Sequence, residues 1–511
     1  MVPPPSFEPY VLTPLDHSTA SVHFSFFVTF LCQDPAAGCS VLERGVQRLT
    51  TRLPFLSGNL VQSIQRKGTK NVFEVQQTDP SHWSKLPMLK IKQHAQYISP
   101  RNVNRNTPPL SPDDLFNPHY MPLPFYIPPS EPQPLLRLQA NVMTDGIVLC
   151  VSFHHMAIDG IGIGSILQAL SECCRNPDQP PERLSTSPES EAQSRARIYQ
   201  STNESHLARD DGGGSDIQQA APSSNLGAPI SRRFCLDVEK IRRLREACTT
   251  AIKAGKDMAR RINPSSPKYD ASWQGFSNNE IVTALIWLCG TRARSRATSV
   301  ERDRSSFAGL NSSLLFAVDV RGILNIPSTY LGNAIVTPTS TYHFKSTELH
   351  DADHLVFNSD TSDTLHEFNP NDITLLSNLA LSVQKTYRSV NPEHVRNIIS
   401  HIMASKDWYL PAKLGDLSVS SMRGVPSYDM DFGPGLGTPY DVDAPDNRAD
   451  GVAWLLSPRS ESSARLLGYQ RRGFWEVRLS LNSVAMKSLR SDRLWCQVTT
   501  EKAIESIPNK L

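Results

Sequence analysis

The stretch His154-His155-Met156-Ala157-Ile158-Asp159-Gly160 sets an imidazole four residues before a carboxylate, directly after the apolar run Ile147-Val148-Leu149-Cys150-Val151-Ser152-Phe153. A strand that ends on two histidines and turns at Asp-Gly holds a titratable ring at the edge of a rigid element. That is where a general base has to be held. The carboxylate can lock the backbone around the ring without itself reacting. These seven residues alone also fit a buried, hydrogen-bonded histidine pair. They fit a metal site too, since His and Asp four apart share a helix face. No third ligand stands at a telling distance, and Gly160 points to a turn, so no metal is expected.

A second segment, Ser427-Tyr428-Asp429-Met430-Asp431-Phe432-Gly433-Pro434-Gly435-Leu436-Gly437, packs three glycines around an Asp-Phe-Gly step. A phosphate loop would need G-x-x-x-x-G-K-[ST], or G-x-G-x-x-G opening a helix, and neither is present. A kinase would need H-R-D-L-x-x-x-N and V-A-I-K partners, and these are absent.

The elements that must position these residues read as mixed α/β. Leu136, Leu138, Ala140 and Val142 alternate with Arg137, Gln139 and Asn141, and Asp145-Gly146 signals a hairpin. The return strand, apolar on both faces, belongs at the centre of a covered sheet and carries His155 to the interior. Ile163, Ile166, Leu167 and Leu170 then recur at helical spacing and pack a helix back on that sheet. Val22, Phe24, Phe26, Val28 and Phe30 alternate as a strand with one face in a core.

A chain of 511 residues with net charge +2 is long enough for two large domains. Its charges are well mixed and no basic block carries aromatic side chains, so nucleic acid is not an expected partner. Nine cysteines without a C-x-x-C pair suit a reducing cytosol, and Cys173-Cys174 read as core. The N-terminal residues have neither a basic region nor an apolar core of a signal peptide, and no run is long enough to span a membrane. A soluble, cytoplasmic, monomeric protein is the expectation. From Asn176 to Pro229 polar residues, Pro and a Gly212-Gly213-Gly214 triplet dominate, so a mobile crossover with no regular element is expected over 185–225. The acidic stretch Ser346–Asp372 reads as a surface loop.

Taken together, His154–Gly160 and Asp431–Gly435 resemble the HxxxD and DFGxG signatures of the BAHD superfamily of acyl-CoA-dependent acyltransferases. Leu12-Thr13-Pro14-Leu15-Asp16-His17 resembles the family's opening turn, and Leu53–Leu60 its P-x-L-[AS]-G segment. Ser277-Asn278-Asn279-Glu280 with Leu285-Ile286-Trp287 resembles its central helix. Val318-Asp319-Val320-Arg321 followed by Tyr330-Leu331-Gly332-Asn333 resembles its VDxR…Y-[LF]-G-N strand and turn. Within the family the chain is most similar to fungal acetyltransferases of the trichothecene 3-O-acetyltransferase kind. It departs from the plant pattern DFGWG at Pro434, so any role of that indole is not carried over.

The resemblance implies two chloramphenicol-acetyltransferase-like domains, each a mixed sheet flanked by helices, with the site in a channel between them. The expected bounds are 1–180 for the domain carrying HHMAIDG, 181–230 for the crossover and 231–511 for the domain carrying DFGPG. It implies acylation of a hydroxyl of a small secondary metabolite, acetyl-CoA as co-substrate and no permanently bound cofactor. His155 would be the general base. Asp159, the other residue of the catalytic motif, would turn away to pair with Arg321. Asp431 would form a structural ion pair, and Gly433 and Gly435 would let the chain pass close to the pantetheine arm. Ser420, Ser421 and Arg423, in a Ser-rich strand before DFGPG, are the candidates for binding CoA. Acylation of an amine, or a condensation-domain-like enzyme using carrier-bound acyl groups, is the alternative; a non-catalytic homologue would have lost His155, which is present.

Overall fold

The computed structural model describes residues 5–64, 68–99, 110, 114–115, 117–176, 183–202, 227–262, 273–299, 309–349, 367–408, 415–444, 449–459 and 473–500. The N-terminal half contributes β1 (His23–Leu31), β2 (Leu89–Gln93), β3 (Leu136–Met143) and β4 (Gly146–His154). The C-terminal half adds β5 (Pro229–Asp237), β6 (Leu310–Phe316), β7 (Thr339–Phe344), β8 (Leu417–Ser421), β9 (Asp441–Asp443), β10 (Val452–Leu455), β11 (Phe474–Asn482) and β12 (Thr499–Thr500). They form two mixed sheets, of order β9-β1-β4-β3-β2 and β7-β6-β8-β10-β11-β5-β12.

The strand that leads to His155 is central, as its doubly apolar pattern requires: β4 pairs antiparallel with β1 on one side and β3 on the other. Helix α1 (Pro35–Arg52) and helix α2 (Gly160–Arg175) pack together on one face of this sheet. Ile163, Ile166, Leu167 and Leu170 of α2 are buried there, as their spacing predicts.

Two strand readings need correction. The alternations of β1 and β3 are real, but neither sheet face is left to solvent. Arg137, Gln139 and Asn141 are buried because the preceding chain folds over them: Gln139 Nε2 donates to His119 O (2.8 Å), Asn141 Nδ2 to Tyr120 O (2.9 Å) and Arg137 Nε to Leu86 O (3.1 Å). Phe27 of β1 is buried on that same side with Leu115 and Tyr120.

The crossover expectation also needs correction over its first part. Residues 203–226 lie outside the described residues, but Pro188–Gln200 is a helix, α3, capped by the Ser187 hydroxyl and burying Glu191, Ser194 and Ile198. The acidic stretch is described only at its ends. There Ser346–Leu349 is a helical turn with Leu349 buried, and Asp372 pairs with buried Arg292.

In the C-terminal half, helix α4 (Asn278–Ser299) opens on a reciprocal cap: Glu280 N donates to Ser277 Oγ (3.2 Å) and Ser277 N to Glu280 Oε2 (2.6 Å). Its Trp287 is fully buried and donates Nε1 to Ser312 (3.0 Å).

The chain then crosses back. β9 joins the N-terminal sheet by pairing with β1, and Met430, Phe432, Leu436 and Val442 enter the N-terminal core. Buried arginines brace this return: Arg233 bonds Asp441 (2.9 Å) and Glu476 (2.9 Å), and Arg478 pairs with Asp443.

Candidate active site

His155 follows the last residue of β4. Its amide donates to Val22 O (2.8 Å), which fixes the backbone against the start of β1. Its ring is half-buried and edge-on to Phe24, centroids 5.0 Å apart. Nδ1 lies 3.2 Å from Ile158 O. A carbonyl can only accept, so Nδ1 carries the proton and Nε2 keeps its lone pair. Among the described residues no protein group is recorded against Nε2. Burial lowers the imidazole's pKa below the ordinary 6.5, partly opposed by the bond to Ile158 O and the Asp159 charge. The ring is therefore neutral and able to accept a proton at neutral pH.

His154 differs in every respect. It is fully buried and edge-on to His23 (4.7 Å), and burial pushes its pKa well down. Neither of its ring nitrogens has a partner among the described residues.

Asp159 points away from the imidazole, and Arg321 meets it. Arg321 Nη1 donates to Asp159 Oδ2 (3.0 Å) and Nη2 to Oδ1 (2.9 Å), with both side chains buried. The same carboxylate caps α2 by accepting from Gly162 N (2.7 Å) and takes the Ala334 amide (3.0 Å). Arg321 places its remaining donors on Tyr330 O, Gly332 O and Asp319. Packing is close: a Cβ on Gly162 would lie 2.0 Å from Leu331 O. The turn Tyr330–Ala334 of one half thus clamps the His155–Asp159 turn of the other.

A family model described as the Transferase family matches residues 109–493, and one described as the trichothecene 3-O-acetyltransferase-like N-terminal domain matches residues 25–174. The chain belongs to the Transferase family, as a BAHD-type acyltransferase. It is 29% identical to a fumigaclavine B O-acetyltransferase of Aspergillus fumigatus, over 96% of this chain and 98% of that one. With an O-acetyltransferase of Neosartorya fischeri it shares 30% identity over 96% and 97% of the two chains, and with a communesin N16 acyltransferase of Penicillium expansum 31% over 88% and 90%. In fold it is similar to the TRI101 protein of F. sporotrichioides, solved with coenzyme A and T-2 (TM-score 0.67, 19% identity, 97% and 99% covered), and to vinorine synthase (0.59, 16%, 95% and 93%). The two-sheet α/β architecture expected from the motifs is thus that of the BAHD fold, and the chain is an acyl-CoA-dependent acyltransferase.

The family's second signature packs at the C-terminal end of α2. Gly433 (φ 79°) and Gly435 (φ 94°) adopt left-handed conformations, and a Cβ on Gly433 would lie 2.3 Å from the carbonyl oxygen of Arg175, the last residue of α2. Sixteen helical residues from Asp159, that is ~24 Å along the axis. The DFGPG glycines therefore fit the loop to the far end of α2 and to Gly38 of α1, not to His155. Asp431 is exposed, with Arg175 at 3.9 Å, and its Oδ1 accepts the Gly433 amide (2.9 Å). It shapes the turn; an exposed ion contact of that length is worth little.

Of the segment that holds Ser420, Ser421 and Arg423, it is Met422 that meets α2's first turn: a Cβ on Gly160 would lie 2.8 Å from its Sδ. Ser420 is half-buried and Ser421 exposed. The Arg423 guanidinium lies over the Trp475 ring, 3.6 Å from its centroid, and its Nη1 is buried without a partner among the described residues. Burial lowers its pKa to about 10, so it remains cationic.

Sequence reasoning missed Glu191. This α3 carboxylate accepts the Leu331 amide (3.2 Å) and the Thr186 hydroxyl (2.8 Å), which ties the crossover helix to the clamping turn. A lone glutamate in a polar stretch gave no signal of it. Among the described residues there is no group of three His, Cys, Asp or Glu side chains placed to hold a metal ion.

Proposed function

We propose that this enzyme transfers an acetyl group from acetyl-CoA to a hydroxyl of a small secondary metabolite, with His155 as general base. The observation that carries this reading is the neutral, oriented imidazole with Nε2 uncommitted. Nε2 takes the acceptor's hydroxyl proton as its oxygen attacks the thioester carbonyl. The tetrahedral intermediate then collapses, the C–S bond breaks and the imidazolium returns the proton to the departing thiolate. The relatives named as O-acetyltransferases of fungal metabolites support the hydroxyl acceptor and the acetyl donor. The relative named for a nitrogen position makes an amine the second reading. Asp159 and Arg321 act by holding the turn.

Transfer is direct, within a ternary complex. No serine stands in a G-x-S-x-G elbow, and Cys150, Cys173 and Cys174 are buried with thiol pKa values pushed up to about 12, about 11 and about 12 by burial. Initial-rate plots are expected to intersect rather than run parallel. Intact-protein mass spectrometry after acetyl-CoA alone should show no added acetyl group. A stoichiometric adduct that acceptor removes would replace this mechanism with an acyl-enzyme.

Arg423, with Ser420 and Ser421 beside it, meets a phosphate of CoA in this reading. Its stacked, unpaired guanidinium suits an anion better than a lysine would. Arg423→Gln is expected to raise the KM for acetyl-CoA roughly tenfold, the loss of one charge-assisted bond, with kcat little changed. An unaltered KM would remove Arg423 from the cofactor site.

The nine cysteines are free thiols, and no described helix is long and apolar enough to cross a membrane. The free thiols suit a reducing cytoplasm, and there we place a monomer that acts on small molecules without nucleic acid. Gel filtration and fractionation check this.

A further inference from the structure

Asn333 and Thr19 have no part in the chemistry above, yet both end on the carbonyl of His155, and Asp16 of the opening segment Leu12–His17 bonds them both. Asn333 Nδ2 lies 3.0 Å from His155 O, 2.9 Å from Met156 O and 3.0 Å from Asp16 Oδ1, three acceptors around one amide. The Asn333 backbone amide also donates to Asp16 Oδ1 (2.9 Å). Asp16 is held in turn by Thr13, whose amide and hydroxyl both donate to Oδ2 at 2.7 Å. Thr19 closes the ring, its hydroxyl set between Asp16 O (2.8 Å) and His155 O (3.1 Å). Asp16 and Asn333 are almost wholly buried.

We infer that Asn333, braced by Asp16 and Thr19, is a positioning residue that sets the depth and direction of His155 relative to the C-terminal half of the molecule. The inference rests on the reading of His155 as the base. Asp159 and Arg321 hold the turn beyond His155, but neither touches the backbone of the histidine itself. That backbone is fixed by Val22 O on the sheet side and by the Asn333 and Thr19 donors on the carbonyl side. An amide is the side chain suited to this place. Its two N–H groups are shared among two carbonyls and a carboxylate, and neither a carboxylate nor an aliphatic group can donate there. Displacing a base by about 1 Å can cost on the order of 10²-fold in rate, so the bonds act on kcat rather than on cofactor affinity.

The test separates positioning from folding. Asn333→Asp is isosteric but sets an acceptor against three acceptors. Adding Asp16→Asn restores a donor–acceptor pair between the side chains at 16 and 333, while costing the bond from the position-333 backbone amide and leaving the His155 and Met156 carbonyls without a side-chain amide. The double variant should regain part of the melting temperature lost by Asn333→Asp. Its kcat should stay roughly 10²-fold low, with the KM for acetyl-CoA within about twofold of wild type. A double variant with wild-type kcat would overturn the inference. Should Asn333→Asp not fold, Asn333→Ser is read by the same kcat and KM split, and a kcat within about threefold of wild type overturns it too. His155→Ala is assayed alongside. If that variant stays active the base assignment has failed; if it is dead while the Asn333 variants are fully active, only the positioning role has.

Discussion

His155→Ala is expected to lose ~10²-fold or more of kcat/KM, the contribution of a well-placed general base, while its circular dichroism stays that of the wild type. The fold should survive because the imidazole makes one long hydrogen bond, to Ile158 O (3.2 Å), and is only half-buried. The backbone bonds to Val22 O and from Thr19 and Asn333 do not depend on the side chain. His154→Ala should do the reverse, opening a cavity in a fully buried site without removing a proton acceptor. The pH profile carries the same signature. The base works neutral, and burial lowers its pKa, so kcat/KM should hold as pH falls through 6.5 and drop only below it. Activity lost above pH 6.5 would mean that the imidazole is not shielded as described.

Asp159→Ala should act on both the fold and the rate. It strands the Arg321 guanidinium in the interior, uncaps α2 and leaves the Ala334 amide unpaired. Removing one partner of a buried pair costs about 3–5 kcal/mol, which for halves of this size lowers Tm by roughly 6–20 °C. Arg321→Ala should match it, stranding Asp159 instead and freeing the Tyr330 and Gly332 carbonyls. The double variant should lose less than the sum of the two, since each single change already breaks the same contact. Thermal melts and kcat/KM of the three variants check this. An inactive Asp159→Ala with unchanged Tm would make the carboxylate part of the chemistry.

His155 and Asp159 were legible together because they share one short turn behind an unmistakable strand. Arg321 came from the family resemblance alone, and its pairing with Asp159 is what the structure adds. Contacts assembled from distant segments were not legible. Asn333 meets Asp16 across most of the chain, and nothing in either residue's neighbours announces it. The DFGPG glycines were read for the freedom they have, correctly, but positive φ does not say which surface the loop must approach. Polar alternation in β3 marks two faces without telling that one is roofed by His119 and Tyr120. In the crossover a polar composition concealed α3, whose burial rests on one isoleucine, a serine and a glutamate.

The most direct test follows free thiol and product together. Wild-type protein and His155→Ala are each incubated with acetyl-CoA and a panel of hydroxylated and amine-bearing metabolites. The account predicts thiol release by wild type only when a hydroxylated acceptor is present, matched mole for mole by an acetate ester, and almost none by the variant. Equal release by the two proteins, or release by wild type that gives an amide and no ester, would contradict it.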